Sequence, residues 1–380
     1  MLRTRILLFL LGIILVPAVT VSVVWFAKGY HTDPKTGQIT SSGILSANST
    51  PEGAQVLVNG VLKSVTNANI YLSPGKYQVQ IKKEGYSLWQ KNIPVEAEAV
   101  NRVYPLLFPS VPSLKSVSFS GAYLPTQSKD SSKVAYLVSD KTNSKLFTAD
   151  LYESALGSLS RESKLITSLP QPIYNQLVWS PDSKQILALA TKGATLVELG
   201  NGQTLEIDDN TTILGEWQKT ANEKDLIKQE SLPQALRNII STSAADLVWS
   251  PRENKLMYTA TASAKIPENL VTPLPGSNST DQVRNLEIGK RYVYDSEEDR
   301  NYKIDLGNWK WFSDSNHLLK VEAQKIIIAE FDGTNPTIVY SGPMESDFAA
   351  VYPNSKYILI LTNLGQTSPA IPNLYAISLR

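Results

Sequence analysis

Cysteine is absent from this chain of 380 residues. That excludes disulfides, lipid attachment through a cysteine, thiolate metal sites and thiol catalysis, without indicating a compartment. Histidine occurs only at His31 and His317, so imidazole chemistry has almost no candidates. An excess of charge of one sign is missing too, with Lys+Arg at 36 against Asp+Glu at 35. A nucleic-acid partner calls for a basic stripe that neutralises phosphates, and no such run exists, so none is expected. Also lacking are a Gly-x-Ser-x-Gly elbow, a glycine-rich turn opening a helix onto phosphate, and a Ser-x-Asp-x-Gly-x-Thr-Trp turn. No catalytic residue, cofactor site or metal site is assigned.

One long apolar run is present. Ile6 to Ala27 carries no charge, and as a helix it would extend about 33 Å, enough for a hydrocarbon core of about 30 Å. Arg3 and Arg5 precede it, which places Met1 on the cytoplasmic side and the rest of the chain outside. Trp25, Phe26 and Tyr30 lie where an interfacial aromatic belt would sit. A cleaved signal peptide is the competing reading, but the run is longer than such a segment needs and Val24-Trp25-Phe26-Ala27-Lys28 is a poor cleavage site. The reading is a single-pass anchor over residues 1–28 with the chain after it extracytoplasmic. A polar linker over 29–43 follows, in which His31 is a solvated residue.

The stretch 44–104 reads as a small β-domain. Gln55-Val56-Leu57-Val58 runs into Asn59-Gly60, the pair most suited to a type I′ hairpin. Tyr77, Val79 and Ile81 alternate with polar residues, and Pro94 fits an edge strand. The residues Thr50-Pro51-Glu52-Gly53-Ala54, Val58-Asn59-Gly60, Leu72-Ser73-Pro74-Gly75-Lys76-Tyr77 and Glu84-Gly85-Tyr86 resemble, in order, the motifs of the PEGA domain. The usual Gly-x-Thr-Pro after the hairpin is replaced by Ser64-Val65-Thr66-Asn67. The resemblance implies an all-β spacer or interaction module of prokaryotic envelope proteins, with no catalysis of its own.

From residue 105 to 380 one phrase recurs. Leu177-Val-Trp179-Ser-Pro181-Asp182-Ser-Lys-Gln-Ile-Leu returns as Leu247-Val-Trp249-Ser-Pro251-Arg-Glu-Asn-Lys-Leu-Met. Looser copies hold Trp311 and Asp314, then Pro353 and Asn354, and a degenerate one holds Asp130. Each is strand, turn, strand, and repetition at such intervals marks a repeat architecture. The fold class is therefore all-β: an N-terminal transmembrane helix, the PEGA module, then a β-propeller of five or more blades. The phrase resembles the propeller repeats of TolB-like proteins and of prolyl oligopeptidase-type enzymes. The Trp residues are expected between blades, burying about 150–250 Å² each. Asp130, Asp182, Asp314 and Asn354 share one position and read as turn caps.

A four-stranded blade takes roughly 40–50 residues, so the longer intervals carry insertions, near 210–245 and 262–288. The first includes a helix capped by Ser231, with Pro233 in its first turn and Leu232, Leu236, Ile239 and Ile240 on one face. The second is a proline-rich loop in which Pro267, Leu270, Val271, Pro273, Leu274 and Pro275 form either a contact surface or a decoration packed on its own blade. His317 occupies a hairpin position and reads as solvated. Asp295, Glu297, Glu298 and Asp299 read as a charged turn. The expected function is a membrane-anchored, extracytoplasmic binding or scaffold protein whose propeller meets a protein, peptide or cell-wall glycan. The alternative is a glycan-acting enzyme. A propeller mouth with two carboxylates about 5–10 Å apart would support hydrolysis, whereas aromatics and amides would support binding.

Overall fold

The computed structural model describes residues 2–27, 31–32, 39–140, 142–152, 163–170, 173–272, 278–364 and 371–380, with side chains from 11–24 and from 41 onward within those ranges. It divides into two compact units, Met1–Leu107 with Pro273–Asp281, and Phe108–Thr272 with Gln282–Arg380.

The first unit begins with helix α1, Leu2–Ala27. Among the described residues no helix is long and apolar enough to cross a membrane. Beyond α1 lie two sheets. Val61–Val65, Gln55–Val58, Gly75–Lys82 and Trp89–Val95 form an antiparallel sheet, with Pro94 on its edge strand. Gly43–Ala47 pairs antiparallel with Ala68–Leu72 and parallel with Val100–Val103. The core between them is Leu45, Ala54, Val56, Val79, Ile81, Trp89 and Ile93. Asn59 and Gly60 both have positive φ, the geometry a type I′ turn requires. Where the family's Gly-x-Thr-Pro is missing, Thr66 holds the chain instead. Its buried hydroxyl accepts from Ala54 N at 3.0 Å and meets Ser49 Oγ at 2.7 Å.

In the second unit the described residues form five four-stranded antiparallel sheets, numbered here in chain order. Sheet 1 is Tyr123–Gln127, Lys133–Ser139, Ser144–Asp150 and Lys164–Leu169, and sheet 2 is Gln176–Trp179, Gln185–Leu189, Ala194–Glu198 and Thr204–Ile207. Sheet 3 is Ala244–Trp249, Lys255–Ala260, Arg291–Asp295 and Arg300–Ile304, and sheet 4 is Lys310–Trp311, His317–Glu322, Lys325–Glu330 and Thr337–Ser341. Sheet 5 joins Ala349–Val351, Tyr357–Thr362 and Asn373–Ser378 to Leu114–Ser116 from the other end of the unit, with Leu114 opposite Ile377. Among the described residues no sheet closes on itself, and the plan is propeller-like.

The five hairpins between first and second strands share one hydrogen-bond pattern. The N–H groups of Ser128, Ser180, Ser250, Phe312 and Tyr352 donate to the carbonyls of Lys133, Gln185, Lys255, His317 and Tyr357. The N–H groups of Ser131, Ser183, Glu253, Ser315 and Ser355 return to the carbonyls of the first set, and all five have φ between 59 and 62°. A left-handed L-residue costs about 1–2 kcal/mol, which the closing bonds and side-chain caps offset. Asp130, Asp182, Asp314 and Asn354 supply those caps, each accepting from the N–H two residues on. Pro181, Pro251 and Pro353 enter the same turns and are half-buried or exposed.

The second strands read as continuous apolar runs because both faces are covered. In Lys133–Ser139, Val134 and Tyr136 pack with Ala350, Leu359 and Leu374 of sheet 5, whereas Ala135 and Leu137 pack with Leu177, Trp179 and Ile186 of sheet 2. Met257 and Val293 of sheet 3 likewise meet Leu318 and Ala329 of sheet 4. Tryptophans bridge these junctions. Trp179 Nε1 donates to Thr126 O at 3.1 Å and Trp311 Nε1, on a half-buried ring, to Val248 O at 2.9 Å. Trp249 is buried, but its Nε1 has no acceptor.

The insertions differ from the sequence expectation. Two helices precede sheet 3, not one: α2, Thr211–Glu230, and α3, Gln234–Ser243. Ser231 is the C-cap of α2 and not the N-cap of α3, where Pro233 stands. Leu236 and Ile240 of α3 are buried against sheet 3 as their spacing requires, while α2 buries no residue fully, so no apolar stripe announced it. In the second insertion, Ala264–Lys265 pairs with Asn285–Leu286.

Trp179→Ala removes a buried ring and its bond to Thr126, and is expected to destabilise the protein by about 3–5 kcal/mol in urea unfolding. A loss under about 1 kcal/mol would mean that the ring does not hold sheets 1 and 2 together.

Candidate functional site

The first strands of three sheets converge on one cavity of about 930 Å³, within the range of ligand pockets. Sheet 1 contributes eight consecutive residues, Ala122 to Lys129, sheet 4 Lys310, and the approach to sheet 5 Glu345, Ser346, Phe348 and Ala349. A strand that only presented side chains would line a cavity with alternate residues. Eight in a row mean that the main chain is itself a wall. Tyr123–Gln127 is the edge strand of sheet 1, with no strand paired on its far side.

That strand is irregular where it meets the cavity. Its register breaks between Tyr123 and Thr126, and Leu124, directly before Pro125, has a φ of 50°. Left-handed geometry in a bulky residue that precedes proline is unfavourable, and such outliers concentrate at functional positions. Tyr123 Oη meets Ser144 Oγ at 2.5 Å, and burial pushes its phenol up.

The lining combines Tyr123, Phe348 and Gln127 with Lys129, Lys310 and a single carboxylate, Glu345. Lys129 and Lys310 are both exposed; desolvation lowers the Lys310 ammonium, and Asp347 partly restores it. Among the described residues, neither the Lys310 nor the Lys129 ammonium has a hydrogen bond or ion pair with another side chain. Among the described residues, no group of acidic and histidine side chains could hold a metal ion. None of these positions stood out in the sequence, except that Leu124-Pro125 interrupts the first strand of a repeat.

The candidate loop is placed in part. Pro267 is exposed, and Val271 and Leu270 are half-buried. Leu270 packs against the core of sheet 3 and donates its N–H to Asp299 Oδ2 at 2.8 Å. Pro273, Leu274 and Pro275 lie outside the described residues. Arg284 Nη1 pairs with Asp299 Oδ1 at 3.0 Å and also donates to Pro267 O, so the start of the loop is tied to its own sheet.

The acidic turn is not simply a solvated one. Asp299 is buried in that ion pair, and Asp295 is buried against Lys255 at 3.4 Å while accepting from the N–H groups of Glu297 and Glu298. His317 likewise departs from expectation. It is 8% exposed, between the edges of Phe108 and Phe312, with Nδ1 at 2.7 Å from Asp314 Oδ2. The reason is shared by the repeats. The first residue of each second strand faces the last residue of the third, giving Gln185 opposite Glu198, Lys255 opposite Asp295 and His317 opposite Glu330. Burial opposes the charge on His317, but Asp314, with Glu330 and Asp332, outweighs it and holds the imidazole above its ordinary value. Burial also opposes the Asp314 carboxylate, and the bonds from His317 and the N–H of Asn316 outweigh that and hold it low.

Comparison with known proteins identifies one domain. The PEGA domain family matches residues 42–107. No curated protein matches the chain. Similar solved structures include TolB from Acinetobacter baumannii, at 12% identity and a TM-score of 0.25, covering 80% of this chain and 60% of that one. The chain thus spans less than two thirds of TolB's length. The Cps50 (Swd1) β-propeller domain of Myceliophteria_thermophila is 8% identical with a TM-score of 0.33, covering 70% of this chain and 99% of that one. A luciferin-regenerating enzyme is 9% identical with a TM-score of 0.24, over 70% and 95%.

The buried pair makes stability depend on pH. The raised His317 contributes fully below about pH 6.5 and loses its contribution as pH rises through its folded value. The lowered Asp314 contributes above about pH 4 and is lost on acidification through its own folded value. The melting temperature is expected to fall as pH rises above about 6.5, and His317→Gln, which copies Gln185, to remove that slope. An unchanged slope in the variant would show that His317 is not its source.

Proposed function

We propose that this PEGA-domain protein is a membrane-anchored binding or scaffold protein of a prokaryotic cell envelope. α1 serves as the anchor, the PEGA domain as spacer, and a five-bladed propeller presents the cavity to a protein or peptide partner. The observation that carries the reading is the cavity. A main-chain wall, aromatic and amide side chains and exposed ammonium groups suit the holding of a ligand. The long uncharged run behind Arg3 and Arg5 supports the anchor and the outward orientation. The glycan-hydrolase reading calls for a second carboxylate across the cavity, and Glu345 is the single one in the described lining.

A photo-crosslinking residue at Phe348 tests the reading in cells. Irradiation is expected to give a discrete protein or peptide adduct, while the same residue at exposed Leu205, on the outer strand of sheet 2, gives none. No adduct at Phe348, or equal adducts at both sites, would contradict it. Protease added to intact cells is expected to remove both units, and a fully protected chain would overturn the orientation.

A further inference from the structure

Four of the five junctions between neighbouring sheets are held by direct hydrogen bonds. Between sheets 1 and 2, Thr126 O accepts from Trp179 and Ser183 Oγ accepts from the N–H of Asp130. Between sheets 3 and 4, Val248 O accepts from Trp311 and Ser315 Oγ from the N–H of Arg252. Ser313 Oγ donates to Tyr352 O between sheets 4 and 5, and Gln127 Nε2 to Val351 O between sheets 5 and 1. At the junction of sheets 2 and 3 both recurrent bonds are missing. Trp249 holds the position of Trp179 and Trp311, yet its buried Nε1 has no partner. Glu253 holds the left-handed hairpin position of Ser183 and Ser315, and its carboxylate is taken by Lys228 of α2 at 3.0 Å.

Among the described residues, the connection at this junction runs through α2. Lys228 reaches Glu253 of sheet 3, and Lys224 Nζ donates to Pro181 O of sheet 2 at 3.3 Å. The side chains of Lys228 and Glu253 are 29% and 56% exposed, and so open a pair holds weakly. Leu214, Trp217 and Ala221 of α2 line a cavity of about 740 Å³ together with Val178 and Trp179 of sheet 2, and all three are only half-buried. A helix fixed in place buries the residues it turns inward, as α3 does with Leu236 and Ile240 against sheet 3. An element held by so few buried contacts opens locally. We propose that α2 is a strap that closes the gap between sheets 2 and 3 and lifts from it while α3 stays in place, opening the cavity beneath. The hinge is Ser231 to Pro233, between the two helices. Lys129 lines this cavity and the one formed by sheets 1, 4 and 5, so the strap opens beside the candidate site. The strap does not depend on what that site binds.

The chain has no cysteine, so a single introduced thiol reports opening without background. Thiol labelling of the full chain in detergent micelles compares Ala221→Cys, which lines the cavity, with exposed Leu226→Cys on the same helix and buried Ser243→Cys at the end of α3. Ala221→Cys is expected to react more slowly than Leu226→Cys and faster than Ser243→Cys. Adding Lys228→Gln is expected to speed Ala221→Cys by about two- to fivefold, the loss of one exposed ion pair, and to leave Ser243→Cys unchanged. If Ala221→Cys reacts as fast as Leu226→Cys, there is no closed state and the strap is overturned. If it reacts as slowly as Ser243→Cys, with Lys228 or without it, α2 opens only with the whole unit and the proposal fails as well. An intermediate rate untouched by Lys228→Gln would reflect static exposure instead of opening, and would equally overturn it.

Discussion

Five times along the second unit, a backbone N–H at the end of a strand donates to a carbonyl five residues on, and the residue between them that is forced into left-handed φ returns its own N–H. Everything above this turn depends on it. It fixes which residue of the first strand faces which residue of the second, and in a β-sheet a slip by one residue would turn every side chain to the other face. With the register set, Val134 and Ala135 can point to different neighbouring sheets and both be buried. The residue at the capping position differs from copy to copy, Asp or Asn in four and Arg252 in the fifth, because the backbone pattern, not one side chain, makes the turn.

The same registration creates a recurrent polar slot. Gln185 with Glu198, Lys255 with Asp295 and His317 with Asp314 and Glu330 are versions of one position, filled by different chemistries at different depths. A buried ion pair is costly to desolvate and gains little net stability over an apolar pair, whereas removal of one partner leaves a buried charge. These pairs are therefore better understood as fixing one arrangement of strands. Such rigidity also places the edge strand Tyr123–Gln127 beside Lys310 and Phe348, which come from distant parts of the chain.

The legible parts of the fold were those with local signals. Asn59-Gly60, the Trp-Ser-Pro-Asp phrase and the spacing of Leu236 and Ile240 each state a turn or a face within a few residues. Helix α2 was not legible, because it buries no side chain fully and so shows no apolar period. Its neighbour's expected cap, Ser231, was misplaced for the same reason. His317 read as solvated because its sibling positions are polar, and polarity at a repeat position does not reveal that the slot is buried. The candidate cavity was the least legible feature. Lys129, Lys310, Glu345 and Phe348 are unremarkable in sequence, and only the convergence of sheets 1, 4 and 5 brings them together.

That convergence requires the two ends of the second unit to share a sheet. Val117 donates its N–H to Leu374 O at 2.8 Å and Ser378 donates to Ser113 O at 2.8 Å. Amide hydrogen exchange at Val117 and Ser378, compared with Ile186 and Leu187 inside sheet 2, tests this shared sheet directly. All four amides are expected to exchange only through global unfolding, with similar protection. Rapid exchange at Val117 and Ser378 while sheet 2 stays protected would contradict it, since the last sheet would then open without the rest.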